Sequence, residues 1–139
     1  MKQKVTFLLL LIAFATSVFA QTNTVADTLQ ELTPVEVVNI QIEAYNSRDM
    51  DAFLATYSED IKIYDETGKL TMDGHEDMRK AYSRLFDNTP NLNCRIENRI
   101  IINNKVIDKE NVIANDRTLE AVAIYKVENG KITEVRFVK

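Results

Sequence analysis

Three polar side chains, Gln41, Asp65 and Asn98, fall on faces that are otherwise apolar. A polar group withdrawn from water costs free energy unless a partner or a ligand satisfies it, so each is a candidate for chemistry. Asp65 follows Ile61 and Ile63 at alternate positions, with Lys62 and Tyr64 on the opposite face. A carboxyl at the end of an apolar strand face has its pKa raised by burial and suits general acid–base work. The same residue, ahead of Glu66-Thr67-Gly68-Lys69, can instead open a turn by bonding the backbone. Spacing leaves both readings open. Gln41 shares a helical stripe with Val35, Val38, Ile42 and Tyr45, where its amide can bond a ligand or satisfy a neighbouring strand or loop. Asn98 has the parity of Leu92, Cys94, Ile96, Ile100 and Ile102, which predicts an inward side chain.

Other reactive residue types offer less. His75 is the only imidazole, and its place in the first turn of a predicted helix makes it an exposed residue or a loop contact. Ser58, Glu59 and Asp60 form neither a serine–histidine arrangement nor a paired-acid one and read as turn residues. Cys94 is the only cysteine, which excludes an intrachain disulfide. Core packing is its expected role, with an intermolecular bridge or a reactive thiol as the other readings. One histidine and no cysteine pair give a transition metal little to bind, so no metal or other cofactor is expected.

The elements that position these groups follow from local signals. Thr33-Pro34-Val35-Glu36 combines a capping threonine, proline at the first helical position and glutamate three after the cap, and it opens the first helix. Asn46-Ser47-Arg48 breaks that helix, and Asp49 caps a second one carrying Phe53, Leu54 and Tyr57. A period-two strand begins at Ile61. Asp73-Gly74-His75-Glu76 reads as another capping box, ahead of the apolar stripe Met78, Ala81, Tyr82, Leu85 and Phe86, and Asn88-Thr89-Pro90 stops this third helix. Four strands follow: Leu92 to Ile102, Val106 to Ala114, Leu119 to Val127 and Lys131 to Val138. Asn103-Asn104 and Asn129-Gly130 are hairpin turns, the latter of type I′. The expected domain is α+β, three N-terminal helices packed on a curved, mainly antiparallel sheet whose concave face encloses a pocket.

The chain begins with a different signal. Lys2 and Lys4 precede the apolar run Phe7 to Ala15, and Ser17-Val18-Phe19-Ala20 supplies small residues three apart before Gln21. This is the pattern of a secretory signal peptide over 1–20, too short in its apolar stretch to span a bilayer. Residues 21–32 read as a flexible lead-in and 33–139 as one domain. Removing two lysines and no acids from a net charge of −4 leaves −6 on the exported chain. An acidic surface without a basic cluster argues against nucleic acid as a partner, and no membrane association is expected after cleavage.

The run Ala44-Tyr45-Asn46-Ser47-Arg48-Asp49-Met50-Asp51-Ala52-Phe53 and the following Tyr57-Ser58-Glu59-Asp60-Ile61 resemble the opening of nuclear transport factor 2-like domains, within them the ketosteroid isomerase and SnoaL-like branches. Gly74-His75-Glu76-Asp77-Met78 and the closing Ala123 to Ile132 are similar as well. The resemblance covers nearly all of 35–138 and implies a cone-shaped domain. It puts Asp65 where a ketosteroid isomerase has its general base, but it puts Gln41 and Ala123 where that enzyme's oxyanion hole has a tyrosine and a protonated aspartate. The resemblance thus retains the base and loses the hole, and one missing oxyanion donor alone costs about 10²–10³ in rate. It also turns Ala123, Tyr125, Val127, Val135 and Phe137 toward the cavity and implies a homodimer through the convex face, with Glu134 and Arg136 contributing.

With Ile63 on the first strand, and Tyr45, Tyr57, Tyr82 and Phe86 on the helical stripes, the expected lining is apolar. The leading expectation is an exported domain, periplasmic or secreted, binding a small hydrophobic molecule. The alternatives are a weak isomerase, hydrolase or cyclase using Asp65, and a structural or protein-interaction module.

Overall fold

The structure, a computed structural model, describes residues 31–139; the expected signal peptide and all but the last two residues of the expected lead-in lie outside the described residues. Helix α1 (Pro34–Ser47) opens as anticipated: Thr33 Oγ1 accepts from the Glu36 amide, and the Glu36 side chain accepts from the Thr33 amide in return. Such a cap stabilises a helix by about 1 kcal/mol. Arg48 closes α1 in the left-handed region, at φ 56°, and Asp49 caps α2 (Met50–Ala55) by accepting from the Ala52 amide at 3.0 Å.

Strand β1 (Tyr57–Tyr64) starts earlier than the sequence pattern indicates, so Tyr57 and Ser58-Glu59-Asp60 are strand rather than helix end and turn. After a turn comes β2 (Leu70–Asp73), a four-residue strand too short to show a period. Helix α3 (Gly74–Asn88) follows, buried through Met78 and Phe86 while Ala81 is exposed. Its expected capping box is absent: the Asp73 carboxylate is paired with Lys62, and the Asp73 amide donates instead to Asp77.

The remaining chain forms β3 (Asn93–Ile102), β4 (Lys105–Ala114), β5 (Arg117–Glu128) and β6 (Lys131–Val138). Asn129 and Gly130, at φ 50° and 69°, make the predicted type I′ turn. Together the strands give a six-stranded sheet in the order β2-β1-β6-β5-β4-β3, antiparallel except where β1 runs parallel to β6. The helices cover one face. Phe53, Ile61, Ile63, Met78, Val106, Ile132 and Val135 are almost wholly inaccessible and form the core between the layers.

A bulge in β3 overturns one expectation. Ile96 pairs with Glu110 and Asn98 with Lys109, so Glu97 is an extra residue and the parity reverses beyond it. Leu92 and Cys94 point inward as expected, but Asn98 is exposed, and so are Ile100 and Ile102, at 58% and 53%. Arg99 turns inward in their place, its Nε and Nη2 donating to the two carboxylate oxygens of Asp108 at 2.6 and 2.7 Å.

Candidate functional site

Between α1, α3 and the inner face of the sheet lies a cavity of about 300 Å³. Gln41 and Tyr45 reach it from α1, Tyr82 from α3 and Tyr57 from the start of β1. Cys94 reaches it from β3, Glu110 and Val112 from β4, Tyr125 from β5 and Phe137 from β6. Leu119, Glu120 and Lys139, all exposed, mark its open side.

The chemistry of this cavity centres on a residue the sequence reading passed over. On β4 the residues Val106, Asp108, Glu110 and Val112 alternate onto the inner face, and Glu110 is only 4% exposed. The Tyr125 hydroxyl donates to Glu110 Oε1 at 2.6 Å. Burial pushes the Glu110 carboxyl up to about 7; the Tyr125 hydrogen bond opposes that rise, the Asp108 charge adds to it and the Arg99 charge opposes it. A carboxyl with that titration range can hold or release a proton near neutrality. The Cys94 thiol is pushed up to about 12, first by burial and then by Glu110 and Asp108, and is an unreactive neutral group. Burial also raises Tyr45, Tyr57, Tyr82 and Tyr125, so all four line the cavity as neutral phenols.

Gln41, 5% exposed, supplies the other polar feature: its Oε1 is buried without a hydrogen-bond partner. Such an atom is costly to leave empty-handed. Farther along the inner face, the Arg99–Asp108 pair is fixed by a third bond from Arg99 Nη1 to Asn39 at 2.7 Å, so that guanidinium is fully engaged outside the cavity.

Asp65 is elsewhere. The strand ends at Tyr64 with a register shift after Ile63, and the Asp65 carboxylate accepts from the Thr67 amide, the Thr67 hydroxyl and the Lys69 amide at 2.9, 2.6 and 3.0 Å. These bonds hold its carboxyl below the usual aspartate range, the reverse of what a general base near neutrality requires. Asp65 is the turn residue, and it lines with Tyr64 and Thr71 a second hollow that adjoins the cavity at Phe137 and Lys139 but does not include Gln41. Of the expected lining, Gln41, Tyr45, Tyr57, Tyr82, Tyr125 and Phe137 meet at the cavity. Ile63, Phe86, Ala123 and Val135 are core residues behind it, and Asn98 is on the other side of the sheet. His75 rests its Nε2 against the Tyr57 carbonyl at 3.2 Å, away from the cavity.

The described helices include none long and apolar enough to cross a membrane, and the described residues hold no cluster of three metal-ligating side chains. The profile described as a SnoaL-like domain matches residues 38–135, from α1 to β6. The chain belongs to the SnoaL-like family. No curated protein matches it in sequence.

Solved structures place this SnoaL-like domain among nuclear transport factor 2-like folds. An uncharacterized cystatin-fold protein from Novosphingobium aromaticivorans is 23% identical, with a TM-score of 0.71 over 78% of this chain and 99% of that one. A candidate polyketide cyclase from Sinorhizobium meliloti is 14% identical, with a TM-score of 0.65 over 76% and 99%. A candidate ketosteroid isomerase from Kribbella flavida is 18% identical, with a TM-score of 0.60 over 73% of each chain. At these identities the likeness is one of fold, and the SnoaL-like cavity must be read from its own side chains.

Proposed function

We propose that this SnoaL-like protein is exported and binds a small, largely apolar molecule in the cavity beneath α1 and α3. The observation that carries the reading is the cavity itself: about 300 Å³ left unfilled by side chains, walled by aromatic rings, with Glu110 and Gln41 as buried polar anchors. A few polar groups in an apolar hollow are the usual make-up of a ligand site, and a purely structural module would fill that space. Export rests on the sequence of residues 1–20. Mass spectrometry of natively purified protein tests the binding reading. A retained small molecule is expected, lost when Val112→Trp fills the cavity; a wild-type protein that carries no ligand and takes up none from a cell extract would refute it. The same spectra test export, since a chain beginning at Gln21 is expected and an uncleaved one refutes the signal.

Glu110 favours a second reading, an acid–base enzyme in which it takes the role that the family resemblance gave to Asp65. Its near-neutral carboxyl and its bond to Tyr125 support that role. Relatives of this fold are named for cyclase and isomerase activities. Turnover of a retained ligand by wild type, abolished in Glu110→Gln, would distinguish this reading from binding alone.

The expected homodimer is likewise proposed, through the sheet face opposite the helices. Ile100, Ile107 and Ile124 are cross-strand neighbours there, continued by Arg136 and Tyr64 on β6 and β1. The Arg136 guanidinium lies 5.3 Å from the Tyr64 ring centroid, which puts an amphipathic surface at the end of an apolar row.

A further inference from the structure

The cavity continues past its aromatic wall. Phe137 on β6 and Lys139 just beyond that strand border it, and both also border the hollow beside the β1–β2 turn. The backbone accounts for the second space. Paired residues of β1 and β6 run only as far as Tyr64 and Arg136, whereas β6 continues along β5 to Val138. The turn therefore stands away from the last residues of β6, and the hollow between them holds about 370 Å³.

The far wall of this hollow is fixed. The Asp65 amide donates to the Lys69 carbonyl and the Gly68 amide to the Asp65 carbonyl, both at 3.0 Å, while the Asp65 carboxylate ties down the Thr67 and Lys69 amides. Thr71 Oγ1 donates to the Ile63 carbonyl at 3.0 Å, and the Lys139 amide donates to the Glu66 carboxylate at 3.2 Å. A wall held in this way is shaped before a ligand arrives, which lowers the ordering cost of binding. The two spaces also differ in chemistry. Rings of Tyr45, Tyr57, Tyr82 and Phe137 wall the cavity, whereas Glu66, Thr67, Thr71 and Lys139 join Asp65 and the Tyr64 ring around the hollow.

Resting on the pocket reading above, we propose that the ligand is an elongated two-part molecule, with an apolar body in the cavity and a neutral polyhydroxylated end, of the kind a sugar supplies, in the hollow. Size points to an extended occupant. Ligand sites span about 300–1,000 Å³, and the cavity alone lies at the bottom of that range, whereas the adjoining hollow brings the whole well inside it. Charge points to a neutral end, because carboxylates and an ammonium border the hollow together and a head of either sign meets a like charge beside its partner. Hydroxyls both donate and accept, so one ring of them can give to Glu66 and the threonine oxygens and take from Lys139 Nζ.

The test is calorimetric titration of the purified protein with 2-phenylethanol, its β-D-glucoside and its β-D-glucuronide at neutral pH. The alcohol occupies the cavity alone. The glucoside should bind at least about tenfold more tightly, the scale of one or two added hydrogen bonds. The glucuronide, which sets a carboxylate beside Glu66, should bind more weakly than the glucoside. Glu66→Trp, at an exposed turn position from which the indole would fill the hollow, should bring the glucoside down to the level of the alcohol and leave alcohol affinity unchanged. Should that variant fail to fold, NMR of the wild type replaces it: sugar-ring protons should show nuclear Overhauser contacts with the Thr67 and Thr71 methyls, and phenyl protons with the Tyr82 ring. A glucoside no tighter than the alcohol, a glucuronide as tight as the glucoside, or a sugar ring without those contacts would overturn the two-part ligand and leave the pocket reading standing. Absence of binding by all three probes would overturn it as well, while the pocket reading is decided separately by the retained-ligand spectra.

Discussion

The Tyr125 hydroxyl and the Glu110 carboxylate meet at 2.6 Å, joining β5 to β4 across the inner face of the sheet. This bond places a proton donor on a carboxyl that burial alone would keep neutral. Ionisation of Glu110 is thus set first by a contest between desolvation and the Tyr125 phenol, with the opposed charges of Asp108 and Arg99 acting after them.

The first prediction concerns pH and stability. Glu110 binds its proton more tightly in the folded chain, about 7 against 4.5 in its absence, so the folded state holds more protons between those values. Its contribution is fully present below about pH 4.5 and is lost as pH rises through about 7, a change on the order of 3 kcal/mol. Urea denaturation from pH 4.5 to 8 should show this decline in wild type and a flatter profile in Glu110→Gln. Equal slopes in the two proteins would show that Glu110 is not the group responsible.

Tyr125→Phe removes the donor and leaves the ring. The Glu110 midpoint should then move above 7, because the bond that favours the carboxylate is gone. Carbon-detected NMR of the glutamate carboxyls reports this directly. A midpoint that stays put or falls would mean that the hydroxyl does not bond Glu110 in solution.

Arg99→Ala leaves Asp108, which is wholly inaccessible, without its bidentate partner. Breaking a buried pair from one side costs roughly 3–5 kcal/mol. Chemical denaturation should register a loss of that order. A loss below about 1 kcal/mol, the range of exposed pairs, would place Asp108 in contact with water.

Asp65→Asn should leave cavity ligand affinity unchanged, because Asp65 lies in the β1–β2 turn. Its lowered carboxyl makes a contribution present above the ordinary aspartate pKa of 3.8 and lost as pH falls through the folded value. The variant should therefore flatten the acid limb of the stability profile. Altered ligand binding would return Asp65 to the site.

Placing a charge in the apolar row of the outer face, as Ile107→Lys, should shift a dimer to monomer in light scattering without changing the far-ultraviolet circular dichroism. A wild-type protein that is already monomeric at micromolar concentration would remove the dimer.

Local rules recover much of this molecule from its sequence. The Thr33–Glu36 box, the Asp49 cap and the Asn129-Gly130 turn each follow from the bonding or the positive φ that one residue type allows. The helical stripe of α1 likewise brings Gln41 and Tyr45 to the cavity. What escaped was long-range. The bulge at Glu97 has no residue-type signature, so the inward parity of Cys94 was carried past it to Asn98. Glu110 was masked because β4 alternates apolar and polar residues on both faces, with Val106 and Val112 on one and Ile107 and Ile113 on the other. Only the neighbouring strands decide which of those faces is buried. Asp65 was misplaced by extending a strand period one residue beyond the last paired position.

The strand order carries a consequence for how the chain assembles. Strand β6 lies between β1 and β5, and the β1–β2 hairpin touches the rest of the sheet through β6 alone. Until β6 has been synthesised, the first hairpin and the β3–β4–β5 meander share no backbone ladder. The closing contact, in which the Ile132 amide donates to the Thr56 carbonyl at 2.9 Å, joins distant parts of the chain. Pairings of such high sequence separation form late and slowly. A ribosome-bound chain stopped before Lys131 would hold two unjoined β fragments with open edges, the state most open to capture by a chaperone.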